Sequence, residues 1–275
     1  MRDLSTPTVE AGGRTSWTPS TFRQRFVRAL FLVVLLLVTG VSWVIVTQDT
    51  HWEFVRDALY QGGRLVARMF PPDLAYLPQL LGPLIDTIHI ATLGTLGATL
   101  LAVPVALGAA RNTTPHAAVR AVALFVIVAS RSVHSLIWAL VLVFVFGPGA
   151  FAGVVALTLR SVGFIGKLLY EAIEEVDTAS IEAVEATGAS RLQRIVYAIV
   201  PQTLPQFAGT VLFRWDINIR ESTFLGLVGA GGIGMLLNVN INSLAFARVS
   251  LILLAILALV LLAEWASQRA RGAMR

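Results

Sequence analysis

The chain has 275 residues, 56% hydrophobic and only 13% charged, with a mean hydropathy of +0.76. A soluble domain carries about 25% charged residues, so a water-soluble globular protein is excluded. There is no cysteine, which rules out disulfides, iron–sulfur clusters and thiolate zinc sites. The net charge of +5 comes from arginines that lie mostly at the ends of apolar segments, a pattern of membrane topology and not of a nucleic-acid surface.

In chain order, residues 1–20 are rich in Ser, Thr, Pro and Gly, and are expected to be disordered within a cytoplasmic tail, 1–28. Arg23, Arg25 and Arg28 precede an apolar run at 29–47. A bilayer core needs about 20 apolar residues, and this run is too long for a signal-peptide core. It is expected to be a first span with its N-terminus inside. Residues 48–83 carry an acidic excess and four prolines, as suits an outer connector. Trp52, Val55, Leu59, Val66 and Met69 suit an interfacial helix; a solvated connector fits nearly as well.

Span two is expected at 84–110, closed by Arg111, Pro115 and Arg120. Span three is expected at 118–146, ending at Gly147-Pro148. Span four, 149–168, carries Gly149, Gly153, Gly163 and Gly166, which permit close helix contact. Residues 169–203 form a long polar stretch on the cytoplasmic side. Span five covers 204–228, a Gly-rich outer segment reaches 245, and span six covers 246–265, followed by arginines in a tail at 267–275. The fold class is therefore an all-α polytopic membrane protein of six transmembrane helices, with both termini cytoplasmic and the core at 84–266.

Within the cytoplasmic stretch, 171–201, Glu182, Ala183 and Ala186 favour a helix, and Gly188 suits a left-handed closing position. Ser190 and Gln193 have the spacing of a capping box that opens a second helix, and Pro201 is expected to stop it. Helix signals alone fit an ordinary amphipathic loop equally well. However, Glu182-Ala183-Val184, Gly188 and Ala198-Ile199-Val200-Pro201 resemble the EAA loop of ABC-importer permeases, whose pattern is E-A-A-x3-G-x9-I-x-L-P. The spacing matches; Val184, Ala198 and Val200 depart from the pattern. The resemblance implies the type I importer permease fold. It also implies that Glu182, Ala183, Gly188 and Pro201 belong to a coupling segment that docks on an ATPase subunit.

The run from Arg214 to Gly234 and the segment Ser161–Asp177 are further similar to permeases for phosphonate and phosphite uptake, a likeness that covers about residues 80–266. One departure stands in span three. Where that family usually has Pro-Glu, this chain has His134-Ser135, which makes the wall less negative and points to phosphite or hypophosphite. The resemblance implies a homodimer, two ATP-binding cassette subunits holding ATP and Mg, and a periplasmic binding protein, all at a bacterial inner membrane. It implies no cofactor in the chain itself and no nucleic-acid partner. A stand-alone secondary anion transporter is the rival, but it leaves the coupling segment unexplained.

Span five holds four charges in eight residues: Arg214, Asp216, Arg220 and Glu221. At 100° per residue, Arg214, Asn218 and Glu221 fall within about 60° of one another, nearly opposite Asp216, Arg220 and Thr223. Span three places Arg131, His134 and Ser135 on one face, with Trp138 close by. Charges at such depth either pair to fix helices or mark a pathway. The pair reading is favoured for Asp216 with Arg220. The pathway reading is favoured for Arg131, His134, Ser135, Arg214, Asn218 and Glu221. Arg160 is a weaker pathway candidate, the alternative being a pair with Glu221 or Asp216. Gly229, Gly231, Gly232 and Gly234 satisfy G-x-G-x-x-G, but no strand precedes them, so a dinucleotide site is improbable. They are expected to form a flexible or re-entrant break that serves as an outer gate. No Walker A spacing is present, and the four histidines show no metal spacing.

Overall fold

The computed structural model describes residues 4–9, 15–19 and 22–273, which divide into units at 1–63 and 64–275. In the first unit, β1 (Leu4–Val9) and β2 (Thr15–Pro19) pair antiparallel, with Pro7 opposite Trp17. This corrects the expectation of disorder for those residues: Thr6, Thr8, Val9, Thr15 and Thr18 are β-branched and suit strands. The rest of residues 1–20 lies outside the described residues. Helix α1 (Phe22–Thr47) buries none of its residues, as a lipid-facing span requires. The connector contains α2 (Trp52–Arg56) and α3 (Ala58–Met69).

The second unit takes in the end of α3 and then a 3-10 turn (Leu74–Tyr76) and α4 (Leu77–Ala109), followed by α5 (Ala117–Ser132), α6 (Ser135–Phe146) and α7 (Ala150–Glu174). Next come α8 (Thr178–Glu185), α9 (Arg191–Arg194), a π-helical turn (Ile195–Ile199) and α10 (Val200–Leu227). Finally α11 (Gly232–Asn242) turns back and α12 (Phe246–Ala273) closes the unit. Helices α1, α4, α7, α10 and α12 are each long and apolar enough to span a bilayer; α5 and α6 make a sixth span only if taken together.

Packing follows small residues. Ala91, Gly94, Thr95, Ala98, Ala102, Ala106 and Ala109 recur at helical spacing along α4 and are buried. That face lies on α7, where a Cβ on Gly94 would come within 2.8 Å of Leu157 Cβ. Without a hydrophobic drive between helices in lipid, such close approach is what gives dispersion contact.

Span three is not one rod. Helices α5 and α6 meet at 90° because Val133 and His134 adopt extended backbone. The His134 side chain caps the new helix by accepting from the Leu136 amide at 3.3 Å. Pro201 does not end its helix either. It lies in the first turn of α10, directly after the π-helical turn, where a missing N–H is tolerated. The span before the cytoplasmic stretch runs to Glu174, beyond the expected 168, and the C-terminal tail continues α12 to Ala273.

Candidate functional site

The charged stretch of α10 forms two separate pairs. Arg214 is 3% exposed. Its Nε donates to Ser161 Oγ at 2.8 Å, its Nη2 lies 3.3 Å from the Glu221 carboxylate, and its guanidinium stacks 5.3 Å from the Phe164 ring centroid. One turn on, buried Asn218 donates to Thr95 Oγ1 at 2.8 Å and to Ser161 Oγ at 3.2 Å. Thus α4, α7 and α10 are tied by one polar network, and Arg214, Asn218 and Glu221 do share a face. Thr95 and Ser161 were missed from sequence; their only signal is a small hydroxyl within an apolar, small-residue face. Asp216 and Arg220 form the expected i,i+4 ion pair, with Asp216 buried.

Two expectations change. Arg214 was read as an incompletely neutralised pathway charge, but Glu221 and Phe164 compensate it. Arg160 does not pair with Glu221 or Asp216, which are taken by Arg214 and Arg220. Instead its Nη1 donates to the Arg131 carbonyl at 2.7 Å. That carbonyl lies in the last turn of α5, beside the break before α6. Arg131 and His134 are exposed there, and Ser135, at the start of α6, is fully buried.

At the cytoplasmic end, Asp177 caps α8 by accepting from the Ala179 amide at 3.1 Å. Glu182 and Ala183 are exposed on α8, and Gly188 is exposed at φ +78°. That left-handed corner suits glycine, which lacks the Cβ that makes the conformation costly. The Ser190–Gln193 capping box is formed. Arg194 pairs with Glu185 and also donates to the Asn112 carbonyl at 3.4 Å, while Arg191 donates to the Thr113 carbonyl at 2.6 Å. Asn112 in turn donates to the Ile173 carbonyl at 2.5 Å. The α8–α9 corner is therefore fastened to the loop between α4 and α5 and to the end of α7.

At the opposite end, Gly229, Gly231 and Gly232 turn the chain from α10 into α11. Gly234 packs so tightly that a Cβ there would overlap the Thr223 carbonyl oxygen, and one on Gly226 would lie 2.6 Å from the Gly231 oxygen. Of the two expected forms, flexible or re-entrant, the close packing goes against a flexible break.

Residues 99–271 match the family described as binding-protein-dependent transport system inner membrane component, and the chain belongs to that family. It is a multi-pass permease subunit of the bacterial inner membrane. It is 44% identical over 200 residues to the phosphite transport system permease PtxC of Stutzerimonas stutzeri, covering 73% of each chain. It is 38% identical over 239 residues to HtxC of the same organism, a chain provisionally assigned to phosphite transport, covering 87% of this chain and 84% of that one. Among solved structures, the inward-facing MetNI methionine ABC transporter is similar at a TM-score of 0.63 and 23% identity, over 74% of this chain and 99% of that chain. The last likeness concerns the fold alone.

Proposed function

We propose that this permease carries a small phosphorus oxyanion (phosphite, hypophosphite or a phosphonate) inward as part of an ABC importer. The observation that carries this reading is the 44% identity to a phosphite permease across both the spans and the cytoplasmic corner. Two ATP-binding cassette subunits, holding ATP and Mg, dock at the corner of Glu182, Ala183 and Gly188. A periplasmic binding protein delivers the anion. ATP hydrolysis belongs to the assembled complex and not to this chain.

The geometry supports a route for coupling. A push on α8 reaches α9 through Glu185–Arg194, then the α4–α5 loop through Arg191 and Arg194, and then the ends of α4 and α7. A pathway in this fold needs a second permease half. The expected homodimer finds no support in the comparisons, so that half is taken as a distinct permease subunit of the same fold. The test is uptake into proteoliposomes that hold the permease, the ATPase subunits and the binding protein. ATP-dependent uptake of phosphite that disappears without the ATPase supports the reading. Uptake by the permease alone, driven by an ion gradient, supports a secondary transporter in its place.

A further inference from the structure

At the break between α5 and α6, buried hydrogen-bond donors stand without acceptors. Ser135, 0% exposed, is the first residue of α6, and its Oγ has no partner. Trp138 lies one turn on, and its indole Nε1 has none. Helical side chains lean toward the N-terminus of their own helix, so the indole leans toward the level of Ser135. On α7, the Nε of Arg160 also has no partner.

The pairing of α6 with α7 puts these groups at about the same level. Helices α6 and α7 are joined by residues 147–149 and run antiparallel, and Ala139, Ala156 and Leu157 share one buried cluster against which Trp138 packs. One turn back along α6 is Ser135, and one turn forward along α7 is Arg160. Arg160 also touches the Arg131 carbonyl, which puts it beside the break.

The charges agree. Among the described residues no carboxylate pairs with Arg131 or Arg160, while Glu221, Asp216 and Glu171 are each held by another cation. An unpaired buried donor costs about 1–3 kcal/mol, and native structures rarely leave several together. Three buried donors, one of them on the Arg160 guanidinium, stand with exposed Arg131 and the positive end of α6, and an oxyanion would answer all of them.

We propose that Ser135, Trp138 and Arg160, flanked by Arg131, form the anion-coordinating site of the pathway. The assignment rests on the oxyanion reading of the cargo. Arg214, locked to Glu221, belongs to the scaffold.

The test exploits the missing acceptors. S135A removes only an unpartnered hydroxyl, so a purely structural role predicts unchanged or higher stability and unchanged transport; W138F also takes away part of a ring packed on the α6–α7 cluster and is read against its own melting temperature. A role at the anion predicts an unchanged or higher melting temperature together with uptake reduced by about tenfold, the order expected for one hydrogen bond to a charged group. R160Q should cut uptake further, but its Nη1 bond to Arg131 gives it a folding role too, so S135A decides. The assay is ATP-driven phosphite uptake by the complete reconstituted complex, beside the melting temperature of the same preparations. If wild type imports phosphite and both W138F and S135A import it equally well, this site is overturned while the proposed function stands. If wild type imports neither phosphite, hypophosphite nor methylphosphonate, the cargo reading fails and the site falls with it.

Discussion

Removing the carboxylate of Glu221 isolates one of the most deeply buried charges of the protein. The side chains of Arg214 and Glu221 are 4% and 19% exposed. Breaking a buried pair costs about 3–5 kcal/mol because the remaining charge has no counter-ion. In E221A, Arg214 keeps its bond to Ser161 and its place over Phe164. A desolvated cation–π contact is worth up to about 2 kcal/mol, so a loss at the low end, near 3 kcal/mol, is expected. Replacing both partners by apolar side chains is often neutral or stabilising, so R214M/E221L should recover most of what E221A loses. The assay is thermal unfolding of the purified complex, beside its yield from membranes. If E221A is as stable as wild type, Arg214 is not a buried charge held by Glu221 and the scaffold reading fails. If R214M/E221L assembles fully but transports nothing, Arg214 acts on the pathway and the original expectation is restored.

Further outcomes can be checked separately. G188V should strain the corner by about 1–2 kcal/mol and lower transport-linked ATP hydrolysis without loss of assembly; intact coupling would count against the docking role. R220A should strand buried Asp216 and reduce complex yield, and D216N/R220Q should restore part of it. G234A should destabilise by about 1–3 kcal/mol, seen as a lower melting temperature, because the added methyl meets the Thr223 carbonyl. In a chain with no native cysteine, E185C should react with impermeant thiol reagents only from the cytoplasmic side and S243C only from the outside.

Much of the fold was legible because bilayer thickness imposes a length on apolar runs, which placed one end of α1, α4, α7, α10 and α12 to within a residue, while the other end runs four to eight residues further. The capping box at Ser190 and the left-handed Gly188 were legible because both are local. The break after Ser132 was not. The apolar window continues through Val133 into Leu136 and Ile137, and an extended pair of residues leaves no trace in hydropathy. Pro201 misled for a related reason: a proline signals a stop only where an N–H is needed, and the preceding π-helical turn removes that need. At the site, helical angles correctly grouped Arg214 with Asn218 and Glu221. They could not show Thr95 or Ser161, which come from other helices, and so could not show that Arg214 is already satisfied.

The charges of α10 and those at the break serve opposite ends. In α10 each arginine has a carboxylate, so the four charges sum to zero, and their spacing makes Asp216–Arg220 an intrahelical clasp. The Arg214–Glu221 pair instead joins the network that binds α10 to α4 and α7. Such pairs hold helices but offer nothing to a passing anion, because their fields cancel within a few ångströms. The break is arranged the other way. An extended step between two helices frees the backbone of α5 to accept from Arg160 and points the positive end of α6 at the same place. A continuous helix through residues 132–135 would have used those amide groups internally. The irregularity that hydropathy could not reveal is therefore what allows an apolar protein to present positive charge without a fixed counter-ion. Charge density in a sequence marks where the membrane must be made tolerable; charge without a partner marks where a ligand is expected.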